Sequence, residues 1–215
     1  MVIHDIKSCF IHIPKCGGIS ITTAFMRKKN DKNFNLQHRN WQVGLNSDFT
    51  RQKDGKTFYF NNIHATYDQL AVELPNYKYY TVIRNPLTRW ESLYKHNCDE
   101  NFIVDWDIIT WTRKAIASLE NGAYFGSIQN LDEFERSRVR MGSYHVMYLP
   151  AWVYYREPEV EVHRLEDQTI WNRLKLEKIT AHKSKTQIAP YNKDRVKEMI
   201  YNYFKKDFER WQMTE

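Results

Sequence analysis

The fold turns on one stretch near the N-terminus, Phe10-Ile11-His12-Ile13-Pro14-Lys15-Cys16-Gly17-Gly18-Ile19-Ser20-Ile21-Thr22. It combines a short apolar strand, a glycine turn holding one lysine, and a helix that opens on hydroxyl residues. That order builds an anion site. Gly17 and Gly18 let the backbone turn tightly and approach a ligand with no Cβ in the way. The first N–H groups of the following helix point into the loop, and the helix dipole favours negative charge there. Lys15 adds a full positive charge, while Ser20 and Thr22 add hydroxyl donors. A phosphate or sulfate ester suits this chemistry. A Gly-Gly pair alone is more often a plain strand-to-helix turn, but the lysine and hydroxyls raise the functional reading above it.

The order of residues narrows the anion. Lys15 precedes both glycines, whereas the triphosphate loop G-x-x-x-x-G-K-[ST] places its lysine after the second one. The dinucleotide fingerprint G-x-G-x-x-G is missing as well. A second strand–loop–helix stretch follows, Tyr79-Tyr80-Thr81-Val82-Ile83-Arg84-Asn85-Pro86-Leu87-Thr88-Arg89-Trp90-Glu91-Ser92-Leu93-Tyr94. A β-rich run ends at Arg84, Pro86 punctuates, and an amphipathic helix carries Trp90, Leu93 and Tyr94. A guanidinium at such a junction can grip two phosphate oxygens at once, although an arginine after a strand is usually just a surface residue.

Together these residues carry a resemblance. His12-Ile13-Pro14-Lys15-Cys16-Gly17-Gly18-Ile19-Ser20 resembles the 5′-phosphosulfate loop of sulfotransferases that use 3′-phosphoadenosine 5′-phosphosulfate (PAPS). It is closest to the carbohydrate branch that includes the heparan sulfate 2-O-sulfotransferases, where the loop reads H-I-P-K-T-G-G-T-S. Cys16 and Ile19 stand where that branch has threonines, which removes hydroxyl contacts. The second stretch resembles the family's R-[DN]-P-x-x-R-x-x-S element, which binds the 3′-phosphate, with Arg84 and Ser92 at its two ligand positions. Arg89 either assists there or covers the helix surface.

The resemblance implies that Lys15, Cys16, Gly17, Gly18, Ile19, Ser20 and Ile21 cradle the 5′ end of the cofactor. Arg84 and Ser92 then hold its 3′-phosphate. His182-Lys183-Ser184-Lys185-Thr186 is similar to the basic loop that closes over that phosphate, so Lys183 and Lys185 are candidates, solvated lysines being the ordinary alternative. Val162-His163-Arg164-Leu165-Glu166-Asp167 is similar to a late strand ending in an acidic pair, with Glu166 or Asp167 expected to cap the next helix.

Sulfuryl transfer needs the acceptor hydroxyl deprotonated and charge on the departing phosphate stabilised. Lys15 is placed for the second task. For the first, His64 in Phe60-Asn61-Asn62-Ile63-His64-Ala65 ends a β-rich run lying between the two motifs. Strand ends on one edge of an open α/β sheet converge on the site, and the resembled branch carries a histidine base at a comparable strand end. An imidazole suits proton abstraction near neutral pH. A hydrogen-bonded structural histidine is the competing role for His64, and His12, His38 and His145 are further candidates.

Composition bounds the rest. The chain has 215 residues, 42% of them hydrophobic, enough for one globular domain spanning residues 1–215 with a sizeable core. A formal charge of +6 and a pI of about 9.1 point to anionic partners. The three cysteines, Cys9, Cys16 and Cys98, lack metal or redox spacing and read as reduced thiols. No two-carboxylate or Cys/His metal cluster appears, so no metal is expected. No apolar run approaches the roughly 20 residues a membrane span needs, and no signal-peptide core opens the chain. The expectation is a soluble, cytoplasmic protein with no membrane partner.

Alternating strand and helix signals predict an α/β fold: a single doubly wound, mainly parallel sheet with helices on both faces and a P-loop-like phosphosulfate loop. Strands are expected over residues 8–13, 56–63, 79–84 and 160–164. Helices are expected over 19–29, 87–96, 106–119, 166–176 and 193–211, with 30–55 as a polar rim or lid and 122–132 rich in turns. In the last helix Val196, Met199, Ile200, Tyr203, Phe204, Phe208 and Trp211 fall on one core-facing stripe. Residues 97–155 match nothing in the family pattern and are assigned to the acceptor cleft.

The functional expectation is a PAPS-dependent sulfotransferase acting on a hydroxyl, with a carbohydrate acceptor implied by the resemblance. Two other classes stay open. A P-loop-like phosphoryl-transfer enzyme would need a magnesium-binding acidic residue after a strand. A non-catalytic protein for nucleic acid or another polyanion would draw on the basic charge and the aromatics, and would bind with steep salt dependence.

Overall fold

Ser8-Cys9-Phe10-Ile11 is buried at every position, which marks a strand covered on both sides. In the computed structural model, which describes residues 2–3, 7–28, 48–53, 56–61, 64–100, 105–120, 145–181 and 184–213, this strand is β2 (Ser8–Ile11). It lies inside a four-stranded sheet of order β1-β2-β5-β6. β1 (Val2–Ile3) pairs antiparallel at one edge. β5 (Lys78–Ile83) pairs parallel with β2, with Phe10 opposite Tyr80, and β6 (Val160–Arg164) pairs parallel with β5, with Thr81 opposite Val162. The sheet is mainly parallel and the class is α/β.

Strand alternation divides the core into two layers. Cys9, Ile11, Tyr79 and Ile83 face one side, where they meet α3 (Pro86–Asp99), α4 (Ile108–Glu120) and the C-terminal helix α6 (Lys193–Gln212). Phe10, Tyr80 and Val82 face the other, against α1 (Gly18–Lys28) and the five-residue α5 (Thr169–Arg173). Helices thus flank both faces, as expected. Of the stripe expected on the last helix, Val196, Ile200, Phe204 and Phe208 are buried, and Met199, Tyr203 and Trp211 are half-buried at its margin.

Three expectations are corrected. The run expected as strand 56–63 is β4 (Lys56–Asn61), and it does not join the parallel sheet. It pairs antiparallel with β3 (Asp48–Lys53), a strand hidden inside the segment expected as an irregular rim. Aromatic alternation identifies a strand but not its partner, and the charged 48–53 run gave no apolar signal. The helix expected over 166–176 shrinks to α5, because Glu166 and Asp167 take other partners and Gln168, at the helix start, holds a left-handed φ of 61°. A short helix, α2 (Tyr67–Glu73), follows His64 and has no counterpart in the sequence reading. The rest of 30–55 (that is, 30–47 and 54–55) and the turn-rich 122–132 lie outside the described residues.

Candidate active site

The loop between β2 and α1 begins with a turn in which the Cys16 N–H donates to the Ile13 carbonyl at 3.3 Å. Lys15 sits in the left-handed region at φ 63°, and Gly17 at 79°. Glycine adopts that conformation freely, whereas for a lysine it is strained, and such strain concentrates at functional loops. Gly18 is required for a different reason. A Cβ there would fall 2.2 Å from His12 Cδ2, so the His12 ring packs directly on the start of α1.

Arg84, at the end of β5, reaches the same loop. Its Nη1 donates to the Lys15 carbonyl at 3.4 Å, and its Nε donates to Thr88 Oγ1 at 3.0 Å. α3 begins here because Pro86 occupies its first turn and the Asn85 side chain accepts from Leu87 N and Thr88 N. The Thr88 hydroxyl in turn donates to the Asn85 carbonyl at 3.1 Å, leaving its lone pairs for Arg84. The N-cap and the guanidinium are therefore positioned by one local network.

Between loop and guanidinium lies an open cleft of about 360 Å³. Lys15, Gly17, Gly18, Ile19 and Ser20 form one wall, with Arg84 and Ser92 beside them. Lys178, Thr180 and Ala181 also line it, together with the apolar Leu165, Trp171 and Ile179. Three cations face this space, and no carboxylate lines it among the described residues. An anionic ligand with an apolar, planar part matches that lining. Two hydrogen bonds hold Ala181 in place: its N donates to Ser20 Oγ at 3.0 Å, and that hydroxyl lies 3.3 Å from the Ala181 carbonyl.

The residues singled out from sequence distribute unevenly. Lys15, Gly17, Gly18, Ile19, Ser20, Arg84 and Ser92 converge on the cleft. Cys16 is buried beneath the loop, and burial pushes its thiol up to about 11, against the pull of Arg89 and Arg84, so it stays protonated at neutral pH. Ile21 is also buried, facing the layer under α1. Lys185 is exposed and outside the cleft lining, its backbone N–H donating to Asp99 at the end of α3. Lys183, His182 and His38 lie outside the described residues, and His145 opens a short 3-10 helix over His145–Tyr148.

Two acidic expectations change. Glu166 does not cap α5: its carboxylate accepts from Asn85 N at 3.0 Å and from Trp211 Nε1 at 3.2 Å, tying β6 to the start of α3 and to the last helix. Asp167 pairs with Arg164 at 2.8 Å. Lys178 and Trp171 were missed altogether. Lys178-Ile179-Thr180 carries no periodic signal in sequence; the Ser20–Ala181 contact and the packing of Ile179 on the core layer hold it beside the loop.

His64 is buried, and its Nδ1 lies 3.0 Å from the His12 carbonyl. A carbonyl can only accept, so Nδ1 carries a proton, and in the neutral tautomer Nε2 is the acceptor nitrogen. The two histidine rings lie 5.0 Å apart. His12 lines the cleft; His64 stands behind it. His64 reaches the site through this bond rather than at the end of a strand of the parallel sheet.

Arg89 neither assists in the cleft nor covers the helix surface. It is only 5% exposed, with Nε on the Pro14 carbonyl at 2.9 Å and Nη2 on the Leu149 and Met147 carbonyls at 2.8 and 3.2 Å. Its Nη1 lies 3.9 Å from the buried Asp207 carboxylate. Asp207 also accepts from Ala151 N and Trp152 N. Burial pushes this carboxyl upward, opposed by Arg89 and by the two amides.

Residues 1–136, well over half the chain, match the sulfotransferase family. The chain belongs to the sulfotransferase family. Both loop motifs of this member fall inside the matched region, while Lys178 and Asp207 fall beyond it. The chain is similar to a sulfotransferase of known crystal structure from Alicyclobacillus acidocaldarius, at 17% identity and a TM-score of 0.35. That match covers 68% of this chain and spans 57% of the other. No curated protein matches the chain. Among the described residues no group of three or more His, Cys, Asp or Glu could hold a metal ion, and no helix is long and apolar enough to cross a membrane.

Proposed function

We propose that the protein transfers a sulfuryl group from PAPS to a hydroxyl of a carbohydrate acceptor. The observation that carries this reading is the convergence of Lys15 and Arg84 on one cleft that, among the described residues, is lined by apolar side chains and no carboxylate. PAPS fits that donor set: it has anionic groups at both ends of a planar base and ribose. Bound there, it supplies an activated sulfuryl group whose leaving group is a phosphate.

Each role follows from a placed side chain. Lys15 neutralises negative charge at the 5′ end, an electrostatic contribution that is typically the largest in such reactions. The first N–H groups of α1 add to it, with Ser20 beside them. Arg84 and Ser92 hold the 3′-phosphate, the guanidinium aimed by Thr88. Trp171, with Leu165 and Ile179, offers the apolar surface for the base. Lys178 adds a third cation. His64 takes the acceptor proton at Nε2, its tautomer set by the His12 carbonyl. The carbohydrate acceptor is supported by the resemblance of the loop and by the basic charge.

A second assignment of the base is favoured by one observation. His12, not His64, is the histidine on the cleft wall. Parallel turnover measurements on His64→Ala and His12→Ala separate the two. Loss confined to the first keeps the proton on His64, and loss confined to the second moves it to His12.

Calorimetric titration with 3′-phosphoadenosine 5′-phosphate (PAP), beside 5′-AMP and ATP–Mg, tests the cofactor. A preference for PAP that drops about 10- to 100-fold in Arg84→Ala supports the reading, the range expected for a lost charge-assisted contact of about 1.5–3 kcal/mol. Equal or absent binding removes it and moves polyanion binding forward, which salt titration then checks.

A further inference from the structure

The two carbonyls that bracket Lys15 are each held by an arginine of the same segment. Arg84 donates to the Lys15 carbonyl and Arg89 to the Pro14 carbonyl. The peptide on either side of the strained Lys15 is thereby tethered, and Lys15 keeps its left-handed φ. Arg84 also faces the cleft. Arg89 does not: it is buried and has no ligand to serve.

We infer that Arg89 and Asp207 form a positioning clamp that sets the conformation of the phosphosulfate loop. The geometry is that of a three-way joint. Arg89 spends one donor on the loop, two contacts on the Met147 and Leu149 carbonyls, and its remaining edge on Asp207. Asp207, one turn beyond the departure of α6 from helical geometry at Phe204, grips the next two amides, Ala151 and Trp152. The loop is therefore keyed to the C-terminal helix through residues that follow the family-matched region. A fork of planar donors is needed for this joint, and lysine cannot reproduce it. The clamp acts on the 5′ end of the cleft, whereas the 3′-phosphate contacts of Arg84 and Ser92 lie to one side of it. This inference rests on the cofactor reading above for its functional consequence, but not for its structural one.

The test uses the full-length chain and three proteins: wild type, Arg89→Lys and Asp207→Asn. PAP and adenosine 3′-monophosphate, which lacks the 5′ group, are titrated into each, and amide hydrogen exchange is followed over residues 13–18. The expected result is a PAP affinity about tenfold lower in the variants, with 3′-monophosphate affinity changed less than about threefold, as befits loss of preorganisation at one end only. Loop amides should exchange about tenfold faster while thermal unfolding stays cooperative. If Arg89→Lys fails to fold, Asp207→Asn decides alone: its one carbonyl oxygen still accepts from one of the two amides, while the charge facing Arg89 is lost. Equal losses for both ligands, or unchanged loop exchange in a folded variant, overturn the clamp. If wild type itself does not prefer PAP, the cofactor reading falls, and the exchange data still decide the clamp.

Discussion

On one face of the sheet, Trp90, Trp111, Tyr148 and Tyr154 are packed among three helices, with Trp90 and Trp111 rings 4.7 Å apart and Phe204 5.5 Å from Trp90. On the other, among the described residues, Phe10, Tyr80 and Val82 meet α1, the one-turn α5 and the segment leading to Ala181. The cleft opens on this thinner side, where Trp171 and Leu165 belong both to its lining and to the core layer. Among the described residues, the contrast separates a closely packed core from the layer that carries the cleft. Close-packed aromatic area on the thick face holds the sheet, and the sparsely covered face leaves room for a ligand. Two arginines five residues apart mark the divide: Arg84 turns to the cleft, and Arg89 turns inward to the joint under the thick face.

The largest effect should come from breaking the thick face. Trp111→Ala removes a fully buried indole and is expected to cost about 3–5 kcal/mol. In a domain of this size that corresponds to a melting temperature lower by roughly 6–20 °C. PAP affinity of the folded protein should not change; a matching loss of affinity would show that the faces are not separable. Lys15→Ala sharpens the comparison from the other side. Turnover should fall about 10²- to 10³-fold, as for removal of one preorganised donor. Its melting temperature should stay within about 2 °C of wild type, because Lys15 is only half-buried and alanine keeps the same left-handed backbone.

Gly18→Ala probes the seam between loop and histidine. The new Cβ would meet His12 Cδ2 at 2.2 Å, so the ring or the helix start must shift. Overpacking of this kind costs about 1–3 kcal/mol, and calorimetry with PAP should show weakened binding alongside the lower melting temperature. The smallest effect concerns Asp99, exposed at the end of α3. It accepts from the Lys185 and Thr186 amides and from the Thr186 hydroxyl. Partial desolvation raises its carboxyl, but the hydrogen bonds from Ser184, Thr186 and Lys185 outweigh this and hold it below its usual value. A lowered folded value means the stabilisation is present above the unfolded carboxylate range and is lost as pH falls through the folded value. Melting curves of Asp99→Asn and wild type should therefore differ slightly at pH 7 and converge as pH falls through the lowered folded value; a constant gap would refute a role for the charge.

Much of the site was legible without coordinates. Loop glycines, Lys15 and the Arg84–Pro86 junction are local signals, because a strand–turn–helix needs only neighbouring residues to specify it. The α/β class and the core stripe of the last helix follow from periodicity in the same way. Partnership is another matter. Whether Lys56–Asn61 joins the parallel sheet depends on a strand elsewhere in the chain, and the charged Asp48–Lys53 supplied it. Arg84 and Arg89 look alike in sequence, and only the carbonyls of Pro14, Met147 and Leu149 together with Asp207 draw the second one inward. Trp171 reaches the cleft through its packing in the core layer, and Lys178 belongs to the segment that Ser20 ties down at Ala181, 161 positions away. Local backbone chemistry writes the anion loop into consecutive residues. The identity of the walls around it is a property of long-range contacts, which no single segment encodes.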